Sequence, residues 1–186
     1  MSAARLVAPR DGTSAWTEDH GRISGYASLF GATDLSGDRI LPGAFLASLA
    51  RRGAAGVRML WQHDPSRPIG IWTTLTETAS GLLAEGRLAL ETAGGREAYG
   101  LIRAGAVDGL SIGFRTRTAR RGTGDGVKRV LSEIDLWEIS VVTFPMQERA
   151  RLREARSPAA PSDRPSLADR IRQAASQMAA RSPSTR

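Results

Sequence analysis

Short apolar runs with two-residue alternation or β-branched content, separated by glycine-rich turns, take up most of the chain, and only two segments inside that region carry a helical pattern. Residues 22–30 read as a strand between Gly21 and Gly31, and 32–39 as a turn-rich loop with Asp34, Ser36, Gly37 and Asp38. Pro42 suits a first helical turn, and Ala44, Phe45, Leu46, Leu49 and Ala50 give a short amphipathic helix ending near Gly53. Residues 57–63 form a strand that Asp64-Pro65 stops, and 69–76 and 82–90 form two more, joined at Ser80-Gly81. Thr92 caps a second helix with Ala98, Leu101 and Ile102 inward and Gly105 closing it. Residues 110–118 are a strand, 122–126 a hairpin loop, and 127–144 one bent strand or two. The pattern predicts a mostly β fold with short helices, a small closed or strongly curved β-barrel, with Trp61, Trp72 and Trp137 in its core.

The 186 residues fit one domain plus a tail. The expected divisions are a loose leader at 1–20, a folded domain at 21–152, and a basic Pro/Ser/Ala-rich segment at 153–186. Within that last segment, 157–165 reads as linker and 166–181 as a helix whose stripe of Leu167, Ile171, Ala174, Ala175 and Met178 is too thin to stand alone. The formal charge of +7 is concentrated there: from Arg151 onward eight arginines face only Glu154, Asp163 and Asp169. The preceding part is nearly neutral, so the charge supports an interaction tail and no specific nucleic-acid recognition. With no cysteine, thiol catalysis, disulfides and cysteine-held metals are excluded. No apolar run reaches a membrane span and no signal-peptide pattern opens the chain, so an intracellular, soluble protein is expected.

There are two histidines, and His20 lies in the polar opening stretch, which leaves His63 as the candidate base. Ser111, between Leu110 and Ile112, is the candidate nucleophile: on a strand its hydroxyl points away from those two side chains, and Gly113 leaves room for a substrate backbone. Each has a plainer reading, His63 as a hydrogen-bonded structural imidazole and Ser-x-Gly as a small-residue strand. Asp34 and Asp38 lack the later glutamate of a calcium loop and are expected to cap and turn the start of the Pro42 helix; no metal or cofactor is expected.

Several blocks occur in a fixed order: Gly25-Tyr26-Ala27-Ser28-Leu29-Phe30; Asp34 with residues 37–45, Gly-Asp-Arg-Ile-Leu-Pro-Gly-Ala-Phe; Trp61-Gln62-His63-Asp64 with Pro68-Ile69-Gly70; Leu110-Ser111-Ile112-Gly113-Phe114; and residues 138–145, Glu-Ile-Ser-Val-Val-Thr-Phe-Pro. Over residues 21–152 the chain resembles the tailed-phage prohead maturation proteases, whose fold is related to herpesvirus assemblin. The resemblance implies a serine endopeptidase with Ser111 as nucleophile and His63 as base. It further implies action on the major capsid protein and scaffold segments of a phage, prophage or gene-transfer particle, as a homo-oligomer inside assembling proheads in the bacterial cytoplasm. Assemblin-type enzymes place a second histidine third, and this chain has none, so a carboxylate must substitute. Glu138 is favoured, since it lies in the family's Glu-Ile-Ser-Val-Val block inside an apolar run, where a carboxylate needs a partner. Asp135 is the runner-up, on the opposite face if the strand stays regular, and Glu133 and Glu85 are weaker. Backbone amides are the usual oxyanion donors in acyl transfer and leave no side-chain signature, and the arginine pair that supports the assemblin oxyanion site has no counterpart after Glu138, so that feature is not carried over. Residues 157–186 are expected to dock or to be self-cleaved near Ser157. The rival expectation is an inactive assembly or scaffold-binding factor with the same fold.

Overall fold

The structure, a computed structural model, describes residues 21–124 and 126–153. His20 and the expected leader, linker and terminal helix lie outside the described residues.

The elements run β1 (Arg22–Leu29), β2 (Asp38–Ile40), α1 (Leu46–Arg52), β3 (Arg58–Trp61), β4 (Asp64–Glu77), β5 (Gly81–Leu88), α2 (Ala93–Arg103), β6 (Gly109–Arg121), β7 (Arg129–Val142) and β8 (Leu152–Arg153). They build one sheet in the order β2-β7-β3-β4-β5-β1-β8, with β6 on the other edge of β7. The sheet curls until its ends meet. Next to β8, Arg151 bridges Gly109 of β6, Leu110 N–H donates to Ala150 O at 2.9 Å, and Leu152 N–H donates to Asp108 O at 2.7 Å. The curved barrel and both helices are thus as the alternation predicts.

Inward-facing Ile23, Met59, Ile69, Trp72, Leu82, Leu110, Leu131, Leu136, Ile139 and Val141 fill the interior. The Trp72 indole N–H donates to Ile139 O at 3.2 Å, which satisfies its polar atom inside the core. Thr92 caps α2, accepting from Gly95 N–H at 3.0 Å as expected.

β7 organises the rest. On one edge β2 and β3 both pair with it in parallel, at residues 129–131 and 138–141, which leaves a gap between them. The segment leading into α1 and the helix's first turn fill it: Ile134 N–H donates to Ala44 O at 3.0 Å and Leu136 N–H to Ser48 Oγ at 2.9 Å, so these buried amides are not left unpaired. The Glu77 carboxylate fixes the first turn of this segment, accepting from Gly43 N–H at 2.7 Å and Phe45 N–H at 2.6 Å. That role was expected of Asp34 and Asp38. Instead Asp34 Oδ1 organises its own turn by accepting from the Ser36 and Asp38 N–H groups, and Asp38 forms a fork-like ion pair with Arg129.

Along β7 the register with β6 passes from Gly113–Glu138 to Phe114–Leu136 and skips Trp137. The extra residue inverts the alternation: Ile134 and Leu136 face the core before it, Ile139 and Val141 after it. Trp137 itself is 51% exposed, against the expected core position. Asp135 and Glu138, which a regular strand would place on opposite faces, therefore both point away from the core.

Candidate active site

The site is assembled by a tight hairpin between β3 and β4. Trp61 pairs with Asp64, so Gln62 and His63 are the central residues of the turn, and both are left-handed at φ 54° and 61°. Two-residue hairpins want this geometry but usually fill it with Asn and Gly, because a side chain there is strained. β7 holds the turn in place: Gln62 N–H donates to Val141 O at 3.0 Å, Gln62 Nε2 to Thr143 Oγ1 at 2.8 Å, and His63 N–H to Ser140 Oγ at 3.2 Å.

The turn aims the His63 ring at Glu138. Nδ1 lies 2.7 Å from Oε1, and the other carboxylate oxygen accepts the Ser140 hydroxyl at 2.6 Å. An ionised carboxylate only accepts, so Nδ1 carries a proton and Nε2 of the neutral ring is left with its lone pair. The Glu138 hydrogen bond raises the His63 pKa; partial burial opposes this, and the carboxylate's charge adds to the rise. The ring stays accessible, its side chain 42% exposed, whereas Glu138 is only 13% exposed.

Ser111 pairs directly with Ser140 across the β6–β7 ladder, so the two side chains share the face that carries Glu138. As expected, the hydroxyl is turned away from Leu110 and Ile112. It is also enclosed: Ser111 is 3% exposed and its Oγ has no hydrogen-bond partner. His63 and Glu138 are thus joined, while Ser111 sits on the adjoining strand beside Ser140 and is bonded to neither. A buried, unpaired hydroxyl is costly and typical of sites kept for chemistry.

Gly113 also makes room inside the protein. A Cβ on it would stand 2.1 Å from Glu138 Oε1, so its missing side chain makes room for the carboxylate that holds His63. Ser140 was not singled out from the sequence. A serine in an apolar strand reads as filler, and only the register shows it between Ser111, Glu138 and the His63 amide.

Asp135 belongs to another cluster. Its carboxylate accepts from Arg51 at 2.7 Å, Arg52 at 3.0 and 3.2 Å and Arg117 at 2.9 Å, with Ser48 alongside. Arg52 chiefly, then Trp137, Arg51 and Arg117, hold its pKa far below the ordinary carboxylate range against the effect of burial. Occupied in this way, it is not available to His63. Glu133 lies within reach of Thr118 at 3.4 Å, and Glu85 is exposed on β5. Among the described residues no group of histidine, aspartate and glutamate side chains is arranged to hold a metal, and no helix is long and apolar enough to cross a membrane.

The curved barrel thus carries His63 on a hairpin, bonded to Glu138 of β7, beside an enclosed serine on the adjoining strand. The Caudovirus prohead serine protease family matches residues 11–163, and the chain belongs to that family. It is 37% identical over 139 residues to the prohead protease of Enterobacteria phage HK97, covering 74% of this chain and 61% of that protein. To the prohead protease of Escherichia phage T5 it is 28% identical over 137 residues, 73% of this chain and 63% of that one. The chain thus spans about three-fifths of the length of these relatives. The bacteriophage T4 capsid assembly protease has the same fold, with a TM-score of 0.50 at 16% identity over 67% of this chain and 84% of that one.

Proposed function

We propose that the chain is a serine endopeptidase that cuts capsid or scaffold segments during prohead assembly of a tailed-phage-like particle. The observation that supports it most is the Glu138–His63 hydrogen bond, which leaves Nε2 free as a base, beside a serine whose hydroxyl has no structural partner. Ser111 Oγ attacks the scissile carbonyl while its proton passes to His63 Nε2. The tetrahedral intermediate collapses, the C–N bond breaks, and Nε2 returns the proton to the leaving amine. Water, activated by the same nitrogen, then hydrolyses the acyl-enzyme and regenerates the hydroxyl. Glu138 fixes the tautomer and stabilises the imidazolium formed at each proton transfer. Nε2 engages the hydroxyl on substrate binding, as in sites whose hydrogen bonds tighten only in the complex.

The substrate's path follows from β6. Leu110 N–H turns away from β7 towards Ala150, so by alternation the backbone groups of Ile112 and Phe114 face that same side, where no strand pairs with them among the described residues. An extended peptide adds there as a further strand, which brings its carbonyl carbon to Ser111. Co-expression with the major capsid protein of the same locus, read by intact mass, tests the function. Defined cleavage products that disappear with Ser111→Ala are expected, and an uncut capsid protein refutes the reading.

A further inference from the structure

We propose that Arg115 selects substrates with an acidic side chain about four residues from the bond that Ser111 cuts. The inference rests on the serine-endopeptidase reading and names the substrate class it favours. Ser111, Gly113 and Arg115 follow at two-residue steps along β6, so they share the face that carries the proposed catalytic groups. Four strand residues place Arg115 about 13 Å from Ser111 along the open edge, beside the path of an added peptide. Arg115 is exposed and forms no ion pair among the described residues. Its cross-strand neighbour Asp135 does not neutralise it, because Arg51, Arg52 and Arg117 already share that carboxylate. Glu133 and Glu138 are the other acids of this face, and the Glu138 carboxylate is already bonded to His63 and Ser140, which leaves four guanidinium groups against three carboxylates. A peptide strand lying beside β6 therefore meets surplus positive charge at the position opposite Arg115, and an aspartate or glutamate there forms the cross-strand pair that Arg115 lacks.

The test begins by mapping the cut in the major capsid protein of the same locus by mass spectrometry. Peptides spanning that cut are then made with Asp or Lys at the fourth residue on its N-terminal side, and a second pair with the change on its C-terminal side. For one of the two pairs, the wild type should favour Asp over Lys by about two- to fivefold in kcat/KM, the range of a cross-strand charge pair. The pair that responds gives the direction of the bound strand. Arg115→Glu should invert the ratio, Arg115→Gln should flatten it without placing a new acid beside Asp135, and 1 M salt should weaken it by screening. Equal cutting of all four peptides by the wild type, or a preference that survives both substitutions, overturns the role of Arg115 and leaves the protease reading intact. A capsid protein that the wild type never cuts overturns both.

Discussion

Gly113→Ala separates the catalytic arrangement from the stability of the fold. The added Cβ would lie 2.1 Å from Glu138 Oε1, 2.7 Å from Cδ and 2.8 Å from Cγ. An ordinary contact begins near 3.4 Å, so Oε1 must withdraw by about 1.3 Å. What gives way is the end of a flexible side chain, and alanine is the easier residue to hold in a strand than glycine by roughly 0.5–1 kcal/mol. The melting temperature should therefore stay near wild type. A shift of that size is enough to break the 2.7 Å bond to His63 Nδ1. A bond to a charged group contributes about 1.5–3 kcal/mol, so kcat/KM on a capsid-derived peptide should fall roughly 10- to 150-fold. Because that bond is the main cause of the raised His63 pKa, an NMR titration should show the ring returning towards its ordinary value near 6.5. Full activity together with an unchanged His63 titration would refute the argument that Gly113 serves the Glu138 carboxylate.

Ser111→Ala should abolish cleavage and leave the protein as stable as before or more so, since it removes an enclosed hydroxyl with no partner; a clear loss of stability in a thermal melt would show that the hydroxyl is structural. Glu138→Gln should lower kcat by orders of magnitude with little change in melting, whereas Asp135→Asn should lower the melting temperature by several degrees, by leaving three arginines around a neutral side chain, and spare kcat; the reverse ranking in paired kinetic and melting assays would move the third role to Asp135. Ser140→Ala should reduce kcat and loosen the His63 turn, and Ser140→Thr, which keeps the hydroxyl, should restore part of the loss. The pH dependence has a definite sign: the base must be neutral, so activity rises with pH through the raised His63 value, and Glu138→Gln should move that limb to lower pH. Stability runs the other way, since a raised folded-state pKa contributes fully below the ordinary value and is lost as pH rises through the raised one.

Most strands were legible because burial on one face imposes alternation, as in Gly81–Leu88, and the helices because Thr92 and Gly53 mark ends that side chains and glycine can satisfy. Strands of two or three residues such as β2 and β8 carry no period to read. The sequence predicts that Asp64-Pro65 ends a strand. In fact β4 starts at Asp64, and the ladder jumps from Trp61–Asp64 to Leu60–Pro68, so residues 65–67 have no partner on β3 and the proline donor is not missed. The Trp137 bulge was invisible for a related reason. A single extra residue leaves composition unchanged while inverting which side chains are buried, and that put Trp137 outside and Asp135 on the same face as Glu138. His63, Ser111 and Glu138 could be picked out as a set only through the resemblance. The role of Ser140 depends on cross-strand register, which local sequence does not encode.

The strained hairpin explains why the His63 ring is held where Glu138 can reach it. Two non-glycine residues in left-handed conformation each cost on the order of 1 kcal/mol or more, and a glycine at position 62 would relieve half of that. Glycine could not supply the Gln62 amide, which donates to Thr143 Oγ1 and accepts from Thr143 N–H at 3.3 Å. These bonds, with Gln62 N–H on Val141 and His63 N–H on Ser140, fasten the turn to the end of β7 at which Ser140 faces Ser111. The strain is therefore offset by contacts that also set the position of the ring. A more relaxed turn would be free to swing away from β7, and the His63–Glu138 bond would then have to be formed afresh, at an entropic cost, each time a proton is moved.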